Sequence, residues 1–197
     1  MPDFGEDIEL PWPRSGDEVF ASADDWQMNA NVNWGGGWGL YSVGYKEAGD
    51  LLVEDVAVNR GMADALVYPI VFSYRQYLEL TLKDVLMKAR RYYEIDKPFK
   101  NEHSLLLPWR PLRELLERRW PERPDELEAV EENLCQFDAV DSGSFAFRYA
   151  TTKAGAPSLP EGMQHINLRN LSEVVARIGT FLESCATALD VEREAAE

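Results

Sequence analysis

The sequence predicts an all-α fold, an up-and-down bundle of four to five helices. Apolar residues recur at steps of three and four in successive segments, and Pro, Gly and Asn punctuate the intervals between them. None of these amphipathic segments can bury its stripe alone, and packing the stripes against one another is the simplest solution.

Residues 1–38 read as an irregular arm, interrupted by Pro2, Pro11 and Pro13 and ending in a hinge of Gly35, Gly36, Gly37 and Gly39 around Trp38. Four of the six tryptophans, Trp12, Trp26, Trp34 and Trp38, fall in it. So much aromatic surface predicts an ordered arm, packed on the helical body or on a partner subunit. Residues 39–191 form the bundle and 192–197 a frayed acidic end.

The first helix spans about Leu40 to Val58, with Tyr41, Tyr45, Ala48, Leu52 and Val56 on one face. A longer one spans Ala63 to Tyr92, its stripe running from Val67 to Ala89, with Pro69 in the first two turns, where proline is best tolerated. Leu105 to Trp120 suggests a third, broken near Pro108 and Pro111. Asp125 to Val140 carries Leu127, Val130, Leu134 and Phe137, a fourth. Periodicity then stops, and Phe145-Ala146-Phe147-Arg148-Tyr149 is expected to be extended between turn-forming Ser and Gly. The last helix has the clearest stripe, from Leu168 to Leu189, capped by Asn167 or Asn170.

Forty-five per cent hydrophobic and 28 % charged residues place the chain among globular proteins. A net charge of −15 opposes binding to phosphate backbones and anionic lipid, so a protein partner or a homodimer is favoured over RNA. The N-terminal Met1-Pro2-Asp3-Phe4 has no secretory pattern, and no apolar run is long enough to span a bilayer, so the expected location is cytoplasmic, with no membrane partner. Cys135 and Cys185 fall on helix stripes, are too far apart for a metal motif, and read as buried free thiols. No cofactor, metal or DNA signal is written in the chain.

Arg75, Glu79 and Lys83 follow one another at four-residue steps on one side of the second helix. The plain reading is an intrahelical ion-pair ladder. The functional one takes the planar fork of Arg75 as a phosphate or carboxylate clamp. Arg169, Glu173 and Arg177 repeat the pattern on the last helix, and the two edges would meet if the helices are neighbours. His103 and His165 precede the third and last helices, each a hydrogen-bonding residue or a general base. Arg148, flanked by aromatics, is either stacked on the surface or inserted toward a groove. Asp138 and Asp141 read as helix-end acids. Arg75, Glu79, His103 and Arg148 are expected to converge in one groove and to form any catalytic site.

Gly44 to Val53, then Leu66-Val67-Tyr68-Pro69 through Lys83, His103-Ser104-Leu105 with Trp109, Phe145 to Tyr149, and His165 to Leu171 together resemble a group of bacterial and archaeal HEPN-like helical proteins. The resemblance covers about residues 41 to 185 and implies a dimerising helical bundle with an RNA-directed or defence-associated role, as in toxin–antitoxin systems. Active HEPN ribonucleases carry an arginine followed a few residues later by a histidine on one helix. Here Asp96, Lys97 and Pro98 precede His103, and Ser158, Leu159 and Pro160 precede His165. Gln76 stands where the group often has a histidine. The expected function is therefore a catalytically divergent, partner-binding module, with a metal-independent ribonuclease acting through His103 as the alternative.

Overall fold

A computed structural model describes residues 12–32, 35, 37–59, 61–98 and 102–195. The chain divides into two compact units, Met1–Gly35 and Gly36–Glu197. In the first, Arg14 N donates to Asp17 Oδ2 and the Asn29 side chain bonds both the N–H and the C=O of Ala23, closing a loop around a single 3-10 turn at Trp26–Met28. Side-chain-to-backbone bonds of this kind stand in for a ladder where none can form. Within this unit Trp12 and Trp26 are 73 % and 72 % exposed. Trp34 lies outside the described residues, as do Pro2, Pro11 and Gly36.

Among its described residues the second unit has five helices: α1 (Gly37–Asn59), α2 (Ala63–Tyr92), α3 (Leu106–Arg119), α4 (Pro124–Asp141) and α5 (Leu168–Glu194). No strand occurs among the described residues, only an isolated bridge between Thr151 and Pro157. The fold is all-α, and no described helix is long and apolar enough to cross a membrane. Gly37, Trp38 and Gly39, expected in the hinge, form the first turn of α1. α3 is continuous. Pro108 and Pro111 lie in its first two turns, where few or no backbone bonds are lost, so neither breaks it. Pro124 opens α4, and the Asn167 side chain accepts from Asn170 N to cap α5. Phe145–Tyr149 is not extended. Arg148 N and Tyr149 N both donate to Phe145 O, and the Phe145 and Tyr149 rings stack at 4.6 Å.

The long helix α2 is the axis of the core. Ile70, Tyr74, Leu78, Leu82, Val85 and Ala89 are buried along it, against α1 on one side, α3 on another and α5 on a third. Two glycines fix how closely its neighbours approach. Gly49 of α1 lies under the Tyr74 ring, and a Cβ there would stand 2.7 Å from a ring carbon. Gly179 of α5 lies under Tyr77, where a Cβ would stand 2.0 Å from the phenol oxygen. The two phenols then reach acidic partners on those same helices: Tyr74 donates to Asp50 and Tyr77 to Glu183, both at 2.8 Å. Burial, and for Tyr77 the neighbouring Glu183, holds both phenols above their ordinary value, so they remain O–H donors.

Outside the core, ion pairs link the remaining elements. Arg113 of α3 bonds Glu131 and Glu128 of α4, and Glu131 also accepts from Trp109 Nε1. Arg119 pairs bidentately with Glu192 of α5. The Arg113 guanidinium holds the Glu131 carboxyl below its ordinary range, and Arg119 does the same for Glu192. Cys185 is buried, but Cys135 is exposed on the outer side of α4, so only one of the two thiols has the expected environment.

Two outcomes follow. Gly179→Ala should lower the urea unfolding free energy by about 1 to 3 kcal/mol through overpacking, and less in a Tyr77→Phe background, where the colliding oxygen is gone. Lowered carboxyl pKa values stabilise the fold above the unfolded value of about 4.3 and cease to do so as pH falls through the folded one. Glu131→Gln and Glu192→Gln should therefore flatten the acid limb of a melting temperature against pH curve.

Candidate functional site

At the centre of α2 three charged side chains lie inside the protein. Arg75 and Glu79 are each 1 % exposed and Lys83 3 %. The four-residue spacing puts them in one row, and Glu79 sits between the cations, with Arg75 at 3.2 Å from Oε2 and Lys83 at 2.8 Å from Oε1. Lys83 Nζ also lies 5.9 Å from the Trp38 ring centroid. Three buried charges in one helix would be costly without such pairing.

The guanidinium of Arg75 is the hub. Its Nε donates to Asp141 O at 2.8 Å, one terminal nitrogen to Glu79, and the other to His103 O at 2.6 Å and Ser142 O at 3.3 Å. Asp141 and Ser142 stand at the C-terminal end of α4, where carbonyls lack intrahelical partners and the helix dipole is negative. Arg75 thus caps α4 from another helix and holds the loop before α3 with the same group. The helix-end acids complete the joint. Asp138 accepts from Ser104 Oγ and Leu105 N at the start of α3, and Asp141 accepts from Phe145 N.

His103 projects outward from this joint. Its Nδ1 is 3.2 Å from Glu79 Oε1, while 57 % of the side chain is exposed. Since an ionised carboxylate only accepts, a neutral ring here carries its proton on Nδ1 and leaves Nε2 as a lone pair. This is the orientation in which a carboxylate-backed imidazole can take a proton.

Of the four residues expected to converge, Arg75, Glu79 and His103 are in mutual contact. Arg148 is not in contact with them. It is exposed, donates from Nε to Ser144 O at 2.6 Å, and lies over the rings of Phe72 and Tyr149 at 5.5 and 5.6 Å. The segment around it is a turn, so ring stacking on the surface describes it rather than insertion into a groove. The second ladder behaves differently from the first: Arg177 and Glu173 are 3.9 Å apart and 67 % and 59 % exposed, and Arg169 is exposed. The edge of α5 that meets α2 carries Glu183 and Asp190 instead, bonded to Tyr77 and Lys88. Sequence reasoning had no signal for these, because they pair across elements.

A groove of about 830 Å³ opens between α1, the start of α2 and the segment before α5, with Lys46, Asp50, Asp64, His165 and Arg169 on its walls. Lys46 is already paired with Asp50 at 2.6 Å. Burial raises the Cys185 thiol to about 11, which leaves it inert as a nucleophile near neutral pH. Among the described residues no group of three or more His, Cys, Asp and Glu is placed to hold a metal ion.

The sequence matches no protein-family model, and neither curated proteins nor solved structures show a significant similarity to it.

The buried pairing predicts a large and coupled effect on stability. Arg75→Ala and Glu79→Ala should each cost about 3 to 5 kcal/mol in urea unfolding, because Glu79→Ala strips two buried cations of their carboxylate, and Arg75→Ala removes one of the two cations from Glu79 together with the donors to three backbone carbonyls. The double variant should cost less than their sum. Exposed Arg177→Ala should cost under about 1 kcal/mol.

Proposed function

We propose that this chain is a HEPN-like helical module that binds a protein partner, as a catalytically divergent component of a bacterial defence or toxin–antitoxin type system. The observation that carries the divergent reading is the commitment of Arg75: four hydrogen bonds to Glu79, His103 O, Asp141 O and Ser142 O, at 1 % exposure, leave its fork turned into the protein. An arginine that steadies a phosphate in a transition state has to present its donors to the substrate. The missing arginine-to-histidine spacing upstream of His103 and His165 supports the same conclusion, and the net charge of −15 favours a protein partner over RNA.

One observation favours a second reading, a metal-independent ribonuclease. His103 is half exposed and backed by the buried Glu79 carboxylate, a geometry suited to general acid or base work, and the exposed Arg148 would then be the phosphate-facing cation.

The two readings separate in one assay. Purified chain is incubated with labelled RNAs of varied sequence in the presence of chelator. The expected result is intact RNA for the parent and for His103→Ala alike. Cleavage by the parent that disappears in His103→Ala would establish the ribonuclease instead.

A further inference from the structure

Helix α1 has apolar residues on two opposite sides. Tyr45, Leu52, Val53 and Val56 pack on the core, with Gly49 buried under Tyr74. At 3.6 residues per turn, Leu40, Val43, Glu47, Leu51, Glu54 and Val58 fall within an arc of about 80° on the far side. There Leu40 is 51 %, Val43 64 %, Leu51 57 % and Val58 74 % exposed. A helix side that faces away from its own core yet lines up four exposed apolar residues is a candidate interaction surface. The two charges set within the stripe are both acidic, and neither Glu47 nor Glu54 takes an ion pair among the described residues.

From this arrangement we propose that the outer face of α1 is a docking surface for an amphipathic helix of another protein, one with an apolar stripe and basic residues seven positions apart. Glu47 and Glu54 are two turns apart, about 10 Å along the axis, which is the spacing between positions i and i+7 of an approaching helix. Charge decides the occupant. A second copy of this chain packed antiparallel about the middle of α1 would set each Glu47 on a Leu51 and each Val43 beside an Asp55. A parallel pair would set Glu47 against Glu47. Either arrangement sets carboxylates against apolar groups or against each other, between two molecules of charge −15 each. Anionic lipid is disfavoured by the same carboxylates. A basic-rimmed helix covers the apolar stripe and neutralises both acids.

The proposal rests on the partner-binding reading and gives it a surface and a partner chemistry. The probe is a fluorescently labelled helical peptide with Leu along one face and Lys at two positions seven apart, titrated with the full chain and followed by anisotropy. The Lys peptide should bind about tenfold or more tightly than the same peptide with Glu at those positions, the sum of two modest ion pairs. Leu51→Asp should abolish the binding, and Glu47→Lys with Glu54→Lys should invert the preference. Equal binding of both peptides, or binding indifferent to Leu51→Asp, would overturn the proposal, as would a dimer in sedimentation that Leu51→Asp dissolves. A melting temperature lowered by several degrees in Leu51→Asp would show that the chain itself covers the face, and would overturn it equally. Failure of the peptide titration while RNA stays intact removes this surface alone; cleavage of RNA through His103 removes the reading beneath it.

Discussion

Everything around the middle of α2 depends on keeping a carboxylate and two cations inside an apolar core. Burying any one of these charges without the others would be costly, and Glu79 lies between Arg75 and Lys83 so that each has an opposite charge in contact. Once these groups are buried, their remaining hydrogen-bonding capacity must also be filled, and the fold fills it with backbone. Arg75 takes the carbonyls of His103, Asp141 and Ser142, so one side chain fixes the loop entering α3 and the turn leaving α4. A hydrophobic residue at position 75 could fill the volume but could not cap a helix. The polar network therefore specifies how the elements join, where the apolar stripes only require that they meet.

The closeness of α1 and α5 to α2 has a second origin in two small residues beneath two large ones. Gly49 and Gly179 remove side chains where Tyr74 and Tyr77 need room, and the phenols secure the approach by bonding Asp50 and Glu183. The acids answering each tyrosine lie on the same helices as the glycines, one and four residues away. Aromatic burial and hydrogen-bond satisfaction are thus achieved together, as buried tyrosines require.

This interior arrangement bears on chemistry. The arginine best placed by sequence to act on a phosphate is consumed by structure, and the most exposed member of the buried group is a histidine oriented by a carboxylate. Arg148, the nearest candidate clamp that the sequence suggests, is not in contact with this group and instead bonds Ser144 O through Nε and lies over the rings of Phe72 and Tyr149. Binding, which needs only surface, is less demanding. The outer face of α1 supplies a surface that the core does not use.

The number and limits of the helices are legible in the amino-acid order: the span of α2 from Ala63 to Tyr92 and the Asn167 cap of α5 can be read there because period, proline tolerance and capping are local properties. The row formed by Arg75, Glu79 and Lys83 is legible too, since it is helix geometry. That this row is buried, while Arg169, Glu173 and Arg177 with the same kind of spacing lie in solvent, emerges only when the helices pack. Burial depends on which edge of a helix faces its neighbours, and spacing along the helix does not contain that information. The turn at Phe145–Tyr149, where local composition predicts an extended segment, has the same cause. Its shape comes from Asp141 accepting the Phe145 N–H and from aromatic stacking, contacts that exist only once α4 has ended where Arg75 caps it.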